Sequence, residues 1–223
     1  MSAIQPVELT TRRLLLWMPR PEHAAEMARY YDENRDHLGR WAPSTRRSLD
    51  EFSGAEFWRK RLARSWREYI EGRAAHFAIS WRKNYQPDAP ARNAQQSSYR
   101  AKSGRLSDQP DQPYRILGTC TFTSITRGPH QSCLLGYGLD QRLQGRGVMT
   151  EALEACVEFA FGTLELQRIM ANYMPSNERS AAVLKRLGFV VEGYARDFLF
   201  VNGSWCDHIL TALVNPTSIV PSR

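Results

Sequence analysis

Hydrophobic and polar positions change period along the chain, and the changes mark a mixed succession of strands and helices. Residues 11–18 (Thr-Arg-Arg-Leu-Leu-Leu-Trp-Met) read as a first strand, partly alternating and closed by Pro19 and Pro21. Residues 22–31 carry Ala25, Met27, Ala28 and Tyr31 at the spacing of an amphipathic helix. Residues 34–43 read as an aromatic loop. A longer helix is expected from about 49 to 70, with Phe52, Phe57, Leu62, Trp66 and Ile70 apolar and Gly72 just past its end. Residues 75–81 and 115–122 are strands.

The C-terminal half is sharper. Residues 133–139 form a strand containing Gly136 and Gly138, followed by a turn at 144–147. A helix is expected over 148–161, striped by Leu153, Cys156, Val157 and Ala160 and stopped by Gly162. A strand over 168–174 ends at Pro175; Ser176 or Asn177 caps a short helix ending at Leu187, with Gly188 in the C-terminal position. Residues 189–191 open another strand, and 197–201 and 205–213 flank Asn202-Gly203, a strong hairpin signal.

Between the strands at 75–81 and 115–122, residues 83–113 are rich in Gln, Ser, Asp, Pro and Arg and nearly lack large aliphatics. They read as a flexible insertion, with the flanking strands paired as a hairpin of unusually long connection. The rest of the 223 residues, 42% of the chain being hydrophobic, supports a single domain over 1–223.

Composition narrows the chemistry. Cys120, Cys133, Cys156 and Cys206 are widely spaced, without the pairing or nearby histidines of a zinc site, so no metal and no disulfide framework are expected. The N-terminus lacks a basic start followed by an apolar run, and no apolar stretch is long enough to span a bilayer. A cytoplasmic protein with reduced thiols and no membrane contact is the expectation. The formal net charge of +7 favours an anionic partner, either a polyphosphate ligand or a nucleic-acid surface, and does not separate the two.

The run Gly136-Tyr137-Gly138-Leu139-Asp140, then Gln144-Gly145-Arg146-Gly147-Val148-Met149-Thr150, leads a strand through a glycine turn into a helix. Glycines let consecutive N–H groups converge, and a helix start adds free donors and the positive end of its dipole. That geometry suits a pyrophosphate, with Arg142 and Arg146 at the mouth. An ordinary strand–helix turn fits the same short pattern. Two glycines inside the preceding strand add a reason for a ligand to lie along it.

These residues resemble the GNAT superfamily of N-acetyltransferases. Its signature, Gln/Arg-x-x-Gly-x-Gly/Ala, reads here Gln144-Gly145-Arg146-Gly147-Val148-Met149, with Met149 in place of the final small residue. Arg168-Ile169-Met170-Ala171-Asn172-Tyr173-Met174-Pro175, Asn177-Glu178-Arg179-Ser180, Arg186-Leu187-Gly188-Phe189 and Glu192-Gly193-Tyr194-Ala195 are similar to the Rim branch, which acetylates N-terminal residues of ribosomal proteins. The stretches 30–35 through Trp41 and 207–213 are most similar to its alanine-specific, RimJ-type members.

The resemblance implies an α/β (α+β) fold with a central mixed, mostly antiparallel twisted sheet, flanked by helices and splayed at the strand that takes acetyl-CoA. It implies acetyl-CoA as co-substrate, its pantetheine against a bulged strand at Tyr137, Gly138 and Leu139. The pyrophosphate would sit on the turn formed by Gln144, Gly145, Arg146, Gly147, Val148, Met149 and Thr150. Asn177 would bond the pantetheine, and Ser180 would protonate or stabilise the leaving thiolate, although helix capping alone also accounts for both residues. A backbone N–H freed by the bulge would stabilise the oxyanion.

The general base is less well marked. Related enzymes often carry a glutamate just before the Gly-Tyr of the bulged strand; here that position is Leu135, and another candidate position holds Leu199. Asp197, two residues earlier and expected on the same strand face, is the candidate substitute, although a surface aspartate also fits, and Glu33 and a water relay are alternatives. His37, His130 and His208 read as structural. Tyr31, Asn34, Leu38 and Trp41 are the expected acceptor-binding residues. The implied partner is the N-terminus of a ribosomal protein, with a ribosome or RNA contact through the basic surface. The alternatives are an enzyme of the same fold acting on a small amine or antibiotic, and a non-catalytic ribosome or RNA-binding factor.

Overall fold

The structure, a computed structural model, describes residues 6–43, 54–83, 85, 100–103 and 115–217. Among the described residues, nine strands form one sheet in the order β4-β1-β2-β3-β5-β6-β7-β9-β8. They are β1 (Val7–Thr10), β2 (Leu14–Trp17), β3 (Ala75–Trp81), β4 (Arg100–Ser103), β5 (Gly118–Thr126), β6 (Ser132–Leu139), β7 (Arg168–Tyr173), β8 (Val190–Val201) and β9 (Ser204–Val214). Only β6 and β7 run parallel; every other neighbouring pair is antiparallel. The helices are α1 (Ala24–Glu33), α2 (Arg35–Gly39), α3 (Ala55–Ile70), α4 (Val148–Glu158) and α5 (Glu178–Arg186). This is the mixed, mostly antiparallel, helix-flanked sheet expected from the sequence.

Each face of the sheet buries its own cluster. Against α4 and α5 lie Phe77, Phe122, Leu153, Phe159, Ile169 and Leu184, with the rings of Phe77 and Phe159 edge-to-face at 5.2 Å. Against α1 and α3 lie Trp17, Met27, Tyr30, Trp58 and Leu62. Removal of this apolar surface from water is what holds the helices to the sheet.

The expected first strand at 11–18 is in fact the turn and second arm of a hairpin. Thr11 turns the chain, its N–H donating to the Leu14 carbonyl at 2.9 Å and its Oγ1 accepting from Leu14 N–H at 2.9 Å. The loop at 34–43 contains α2. The long helix begins at Ala55 with Gly54 as its N-cap, and residues 49–53 lie outside those described. The helix at 148–161 is regular only to Glu158, then widens into a π turn over Phe159–Thr163. β3 pairs with β5, as expected of the strands flanking 83–113. Within that insertion, however, β4 pairs with β1 at the sheet edge; most of its remaining residues lie outside those described. The strands expected at 189–191 and 197–201 merge into β8, which pairs with β9 through a turn whose Asn202 and Gly203 have φ of 46° and 89°. Two successive left-handed residues are what a type I′ hairpin requires.

One buried histidine makes the fold sensitive to acid. His76 on β3 lies 3.8 Å from Glu68 of α3, and burial, aided by Arg61, pushes its pKa down from 6.5 to about 4 against the pull of Glu68. The folded state therefore resists a proton that the unfolded chain accepts, so stability is lost as pH falls from about 6.5 to about 4. The full loss is up to ~3 kcal/mol. Urea midpoints should fall between about pH 7.5 and 5 in the wild type, and His76→Gln should flatten that fall.

Candidate active site

The site forms where two strands part. β6 pairs with β7 only through Ser132, Cys133 and Leu134, opposite Arg168, Ile169 and Met170. Beyond that, the 135–139 stretch of β6 loses its neighbour on the β7 side, so an unpaired backbone edge lines the wedge. An extended ligand can use such N–H and C=O groups as a further strand would. The wedge belongs to an open cleft of about 1680 Å³.

The expected bulge in this strand lies elsewhere. The β5–β6 register runs without interruption from Gly118 opposite Leu139 to Thr123 opposite Leu134, and the irregularity falls at Thr123–Thr126. The free backbone groups come from the parting of β6 and β7. The two glycines also answer to the protein itself: a Cβ on Gly138 would lie 3.1 Å from Leu38 Cδ2, and one on Gly136 would lie 3.0 Å from Thr121 Oγ1.

At the end of β6 the chain enters the glycine turn. Gly145 and Gly147 both adopt left-handed φ, 74° and 69°, and Gly147 caps α4. The first N–H groups of α4 have no acceptor within the helix and face a site of positive dipole. Gln144, Gly145, Gly147, Val148, Met149 and Thr150 line the cleft here, as do Tyr137, Gly138, Leu139 and Asn177. Arg146 does not; its carbonyl accepts from Arg13 Nη1 at 3.0 Å. Glu151 of α4 accepts from Thr11 Oγ1 (2.6 Å), Arg13 N (2.7 Å) and Arg13 Nε (2.6 Å), fastening the β1–β2 turn to the helix. Burial would raise this carboxyl's pKa, but those donors outweigh it and hold it below the ordinary value.

Arg142 also departs from expectation. It is committed to Asp140 (2.9 Å from Nε to Oδ1) and Glu33 (2.8 Å) and does not line the cleft. Arg12, Arg179 and Arg186 supply positive charge there instead, Arg186 also reaching Thr150 Oγ1 at 3.3 Å. Gln144 is held at both ends: its Oε1 accepts from Arg179, and its Nε2 lies 2.9 Å from His37 Nε2. Burial, with Arg40 and Arg179 nearby, pushes the His37 pKa down, so the neutral ring accepts from the amide.

Alternation sorts the cleft into two faces. Leu135, Tyr137 and Leu139 of β6 point toward α4 and α5; Leu134, Gly136 and Gly138 point toward α1 and α2. On the first face, Tyr137 Oη lies 2.7 Å from Ser180 Oγ. Asn177 caps α5, its Oδ1 accepting from Ser180 N–H at 3.1 Å, which fixes Ser180 on the first turn. Burial pushes the Tyr137 phenol up to about 12, so it stays protonated near neutral pH and serves as a donor.

The second face carries three of the four residues expected to bind the acceptor. Tyr31, Leu38 and Trp41 line the cleft there, with Tyr31 stacked on Trp58 at 4.4 Å. Asn34 does not. It is buried, donating from Nδ2 to the Tyr30 carbonyl and accepting at Oδ1 from Gln141 N–H, so it locks α1 to the loop after β6. Asp197 is also absent from the cleft. The β8–β9 register shifts between Ala195 and Leu199, and Asp197 sits in that irregularity with φ 47°, its N–H donating to Asp207 Oδ1 at 2.9 Å. The bulge breaks the alternation that was to place Asp197 beside Leu199. Glu33 is paired with Arg115 and Arg142. Two residues read as structural from sequence, His37 on α2 and His208 in the middle of β9, line the cleft. Tyr137's hydroxyl partnership with Ser180 was also missed; strand alternation, which sets Tyr137 opposite the glycine face, was the available signal.

A wedge between parallel strands, a left-handed glycine turn opening a helix, and a paired hydroxyl beside the wedge together define an acyltransferase. The family model described as an acetyltransferase (GNAT) domain matches residues 13–190. The chain belongs to the GNAT family and is an N-acetyltransferase. It is 36% identical over 215 residues, 96% of its length and 94% of the relative's, to the [ribosomal protein uS5]-alanine N-acetyltransferase of Escherichia coli (strain K12). Among solved structures it resembles the ribosomal-protein-S5-alanine acetyltransferase from Vibrio fischeri: TM-score 0.74, 31% identity, 94% of this chain and 97% of that one. It also resembles Mycobacterium smegmatis RimJ in complex with CoA-disulfide: TM-score 0.76, 25% identity, 96% and 93% covered.

Proposed function

We propose that the chain transfers the acetyl group of acetyl-CoA to the N-terminal alanine of a ribosomal protein. The observation that carries this reading is the end-to-end similarity to an enzyme of that specificity. The open cleft of about 1680 Å³ is consistent with it. The pantetheine would lie along the free edge of β6 near Tyr137, Gly138 and Leu139. The pyrophosphate would lie on the N–H groups of the Gly145–Gly147 turn and of Val148, Met149 and Thr150. Acetyl-CoA supplies the activated carbonyl, and the residues of the chain hold and polarise it.

An α-amine has a reference pKa of roughly 8, so a sizeable neutral fraction exists near neutral pH and attack on the thioester needs only modest help. Ser180, backed by Tyr137, would donate to the departing sulfur. The reaction would take place in the cytoplasm, where the exposed arginines and lysine of α3, among them Arg59, Lys60 and Arg67, can approach ribosomal RNA.

The test is incubation with acetyl-CoA and peptides beginning with Ala, Ser, Met or an acetylated residue, reading free thiol and peptide mass. Acetylation of the free Ala peptide above the others is the expected result. Turnover confined to small amines such as aminoglycosides would replace the ribosomal reading, and RNA binding without any turnover would overturn the enzymatic one.

A further inference from the structure

With Leu135 packed in the core, Asp197 turned out of the cleft and Glu33 paired to arginines, none of the expected carboxylates can take a proton from the incoming amine. We propose that His208 is the proton acceptor for the attacking amine, an assignment that rests on the acetyl-transfer reading above.

The register carries the argument. Leu134 lies opposite Met170 in the β6–β7 pair, and Asn172 lies opposite Leu210 in the β7–β9 pair. Side chains directly opposite share a face. Gly136 and Gly138 of β6, Asn172 of β7, and Leu210 and His208 of β9 therefore all point to the acceptor side. Ile209 opposite Tyr173 is the last pair of the β7–β9 ladder, so His208 stands one step beyond it, at the mouth of the wedge. Ser180 and Tyr137 occupy the other face. The amine thus approaches from the side of His208, and the sulfur departs toward Ser180.

The ring itself is set for the role. His208 lines the cleft yet is only 4% exposed. Its Nδ1 lies 2.9 Å from the Cys206 carbonyl, which can only accept, so Nδ1 carries the proton and the neutral ring keeps its lone pair on Nε2. Among the described residues, Nε2 makes no hydrogen bond. Phe198, also lining the cleft, packs on the ring at 5.6 Å and fixes its plane.

On β9 and on the paired stretches of β8 and β7 beside His208, the titratable and charged groups are Cys206 and Asp207, Tyr194, Arg196 and Asp197, and Tyr173. Donation from the Tyr194 hydroxyl and from Asp197 N–H, with Arg196 nearby, holds the Asp207 carboxyl below the ordinary value.

The electron and proton count closes. The amine lone pair forms the N–C bond to the carbonyl carbon, and the carbonyl π pair moves to oxygen. As the carbonyl reforms, the C–S bond breaks with its pair on sulfur. The surplus proton on nitrogen passes to His208 Nε2, which returns it to solvent. The sulfur takes a proton through Ser180, which solvent replaces.

The test compares wild type with His208→Asn, whose amide can still donate to the Cys206 carbonyl but offers no basic nitrogen at the Nε2 position. With the Ala peptide, kcat/KM at neutral pH should fall about a hundredfold, the low end for a positioned base because the amine is partly neutral already. Its acid limb should lose one ionisation, the slope falling from about two to about one. The dissociation constant of acetyl-CoA should stay unchanged. As a second arm, added imidazole should restore turnover in His208→Ala, more strongly with more basic imidazoles. Unaltered kcat/KM and slope in His208→Asn, or a lost turnover that no imidazole restores, overturns the assignment alone. A wild type inert toward every amine overturns the transfer reading and this assignment together.

Discussion

Gly147→Val should raise the dissociation constant of acetyl-CoA several-hundred-fold while leaving the protein folded. Gly147 has φ 69°, and space is not the obstacle, since the nearest atom to an added Cβ is Arg13 Nη2 at an ordinary 3.6 Å. The obstacle is the backbone. A left-handed conformation costs a side-chain-bearing residue ~1–2 kcal/mol, at the upper end for a β-branched one. If the residue relaxes instead, the N–H groups opening α4 turn away from the phosphates, each charge-assisted hydrogen bond being worth ~1.5–3 kcal/mol. Loss of two such bonds, ~3.5 kcal/mol toward the low end of that range, corresponds to several hundredfold in affinity. Titration calorimetry with acetyl-CoA measures it. Gly54→Ala is the control, because Gly54 has φ −98° and open space beside it, and it should bind normally. Normal affinity in Gly147→Val would mean that the phosphates are held elsewhere.

Ser180→Ala should lower kcat 100- to 1000-fold, on the order of 3–4 kcal/mol, the loss seen when a donor to developing negative charge is removed. KM for acetyl-CoA should move little, since the interaction strengthens as charge gathers on sulfur. The mechanism predicts more than a single loss. Tyr137 Oη lies 2.7 Å from Ser180 Oγ, and the buried phenol, its pKa pushed up to about 12, donates to Ser180 and leaves the serine hydroxyl free to donate to sulfur. Tyr137→Phe should therefore lower kcat less than Ser180→Ala. The double variant should be scarcely worse than Ser180→Ala alone, because a relay lost at its end cannot be lost again. Additive losses would make the two hydroxyls independent, and unchanged kcat in Ser180→Ala would leave solvent as the proton donor.

What was legible in the sequence was local. The glycine turn at 145–147, the Asn177 cap and the Asn202-Gly203 hairpin each depend on a few adjacent residues whose conformational preferences are strong. The resemblance supplied the sheet and its splay. Features made by distant pairing were not legible. The β1–β2 turn at Thr11 hides inside an alternating run. β4 lies in a polar insertion and exists as a strand only through its pairing with β1. Asp197 looked two residues in phase with Leu199, but β9 offers fewer residues across from that stretch, and the resulting bulge turns it outward. His208 reads as one more strand residue until two successive registers set it on the same face of the wedge as Gly136 and Gly138. Asn34, next to the true lining residues Tyr31 and Leu38, is buried by the loop after β6 that its side chain holds.

The most direct measurement is a crystal structure of the protein with CoA joined through an acetyl bridge to the α-amine of a peptide beginning with alanine. The expected complex has the pantetheine against the free edge of β6, the pyrophosphate on the 145–150 backbone, and the peptide leaving over Leu38, Trp41 and His208. A pantetheine bound outside the β6–β7 wedge, or a peptide leaving on the Ser180 side, would contradict it.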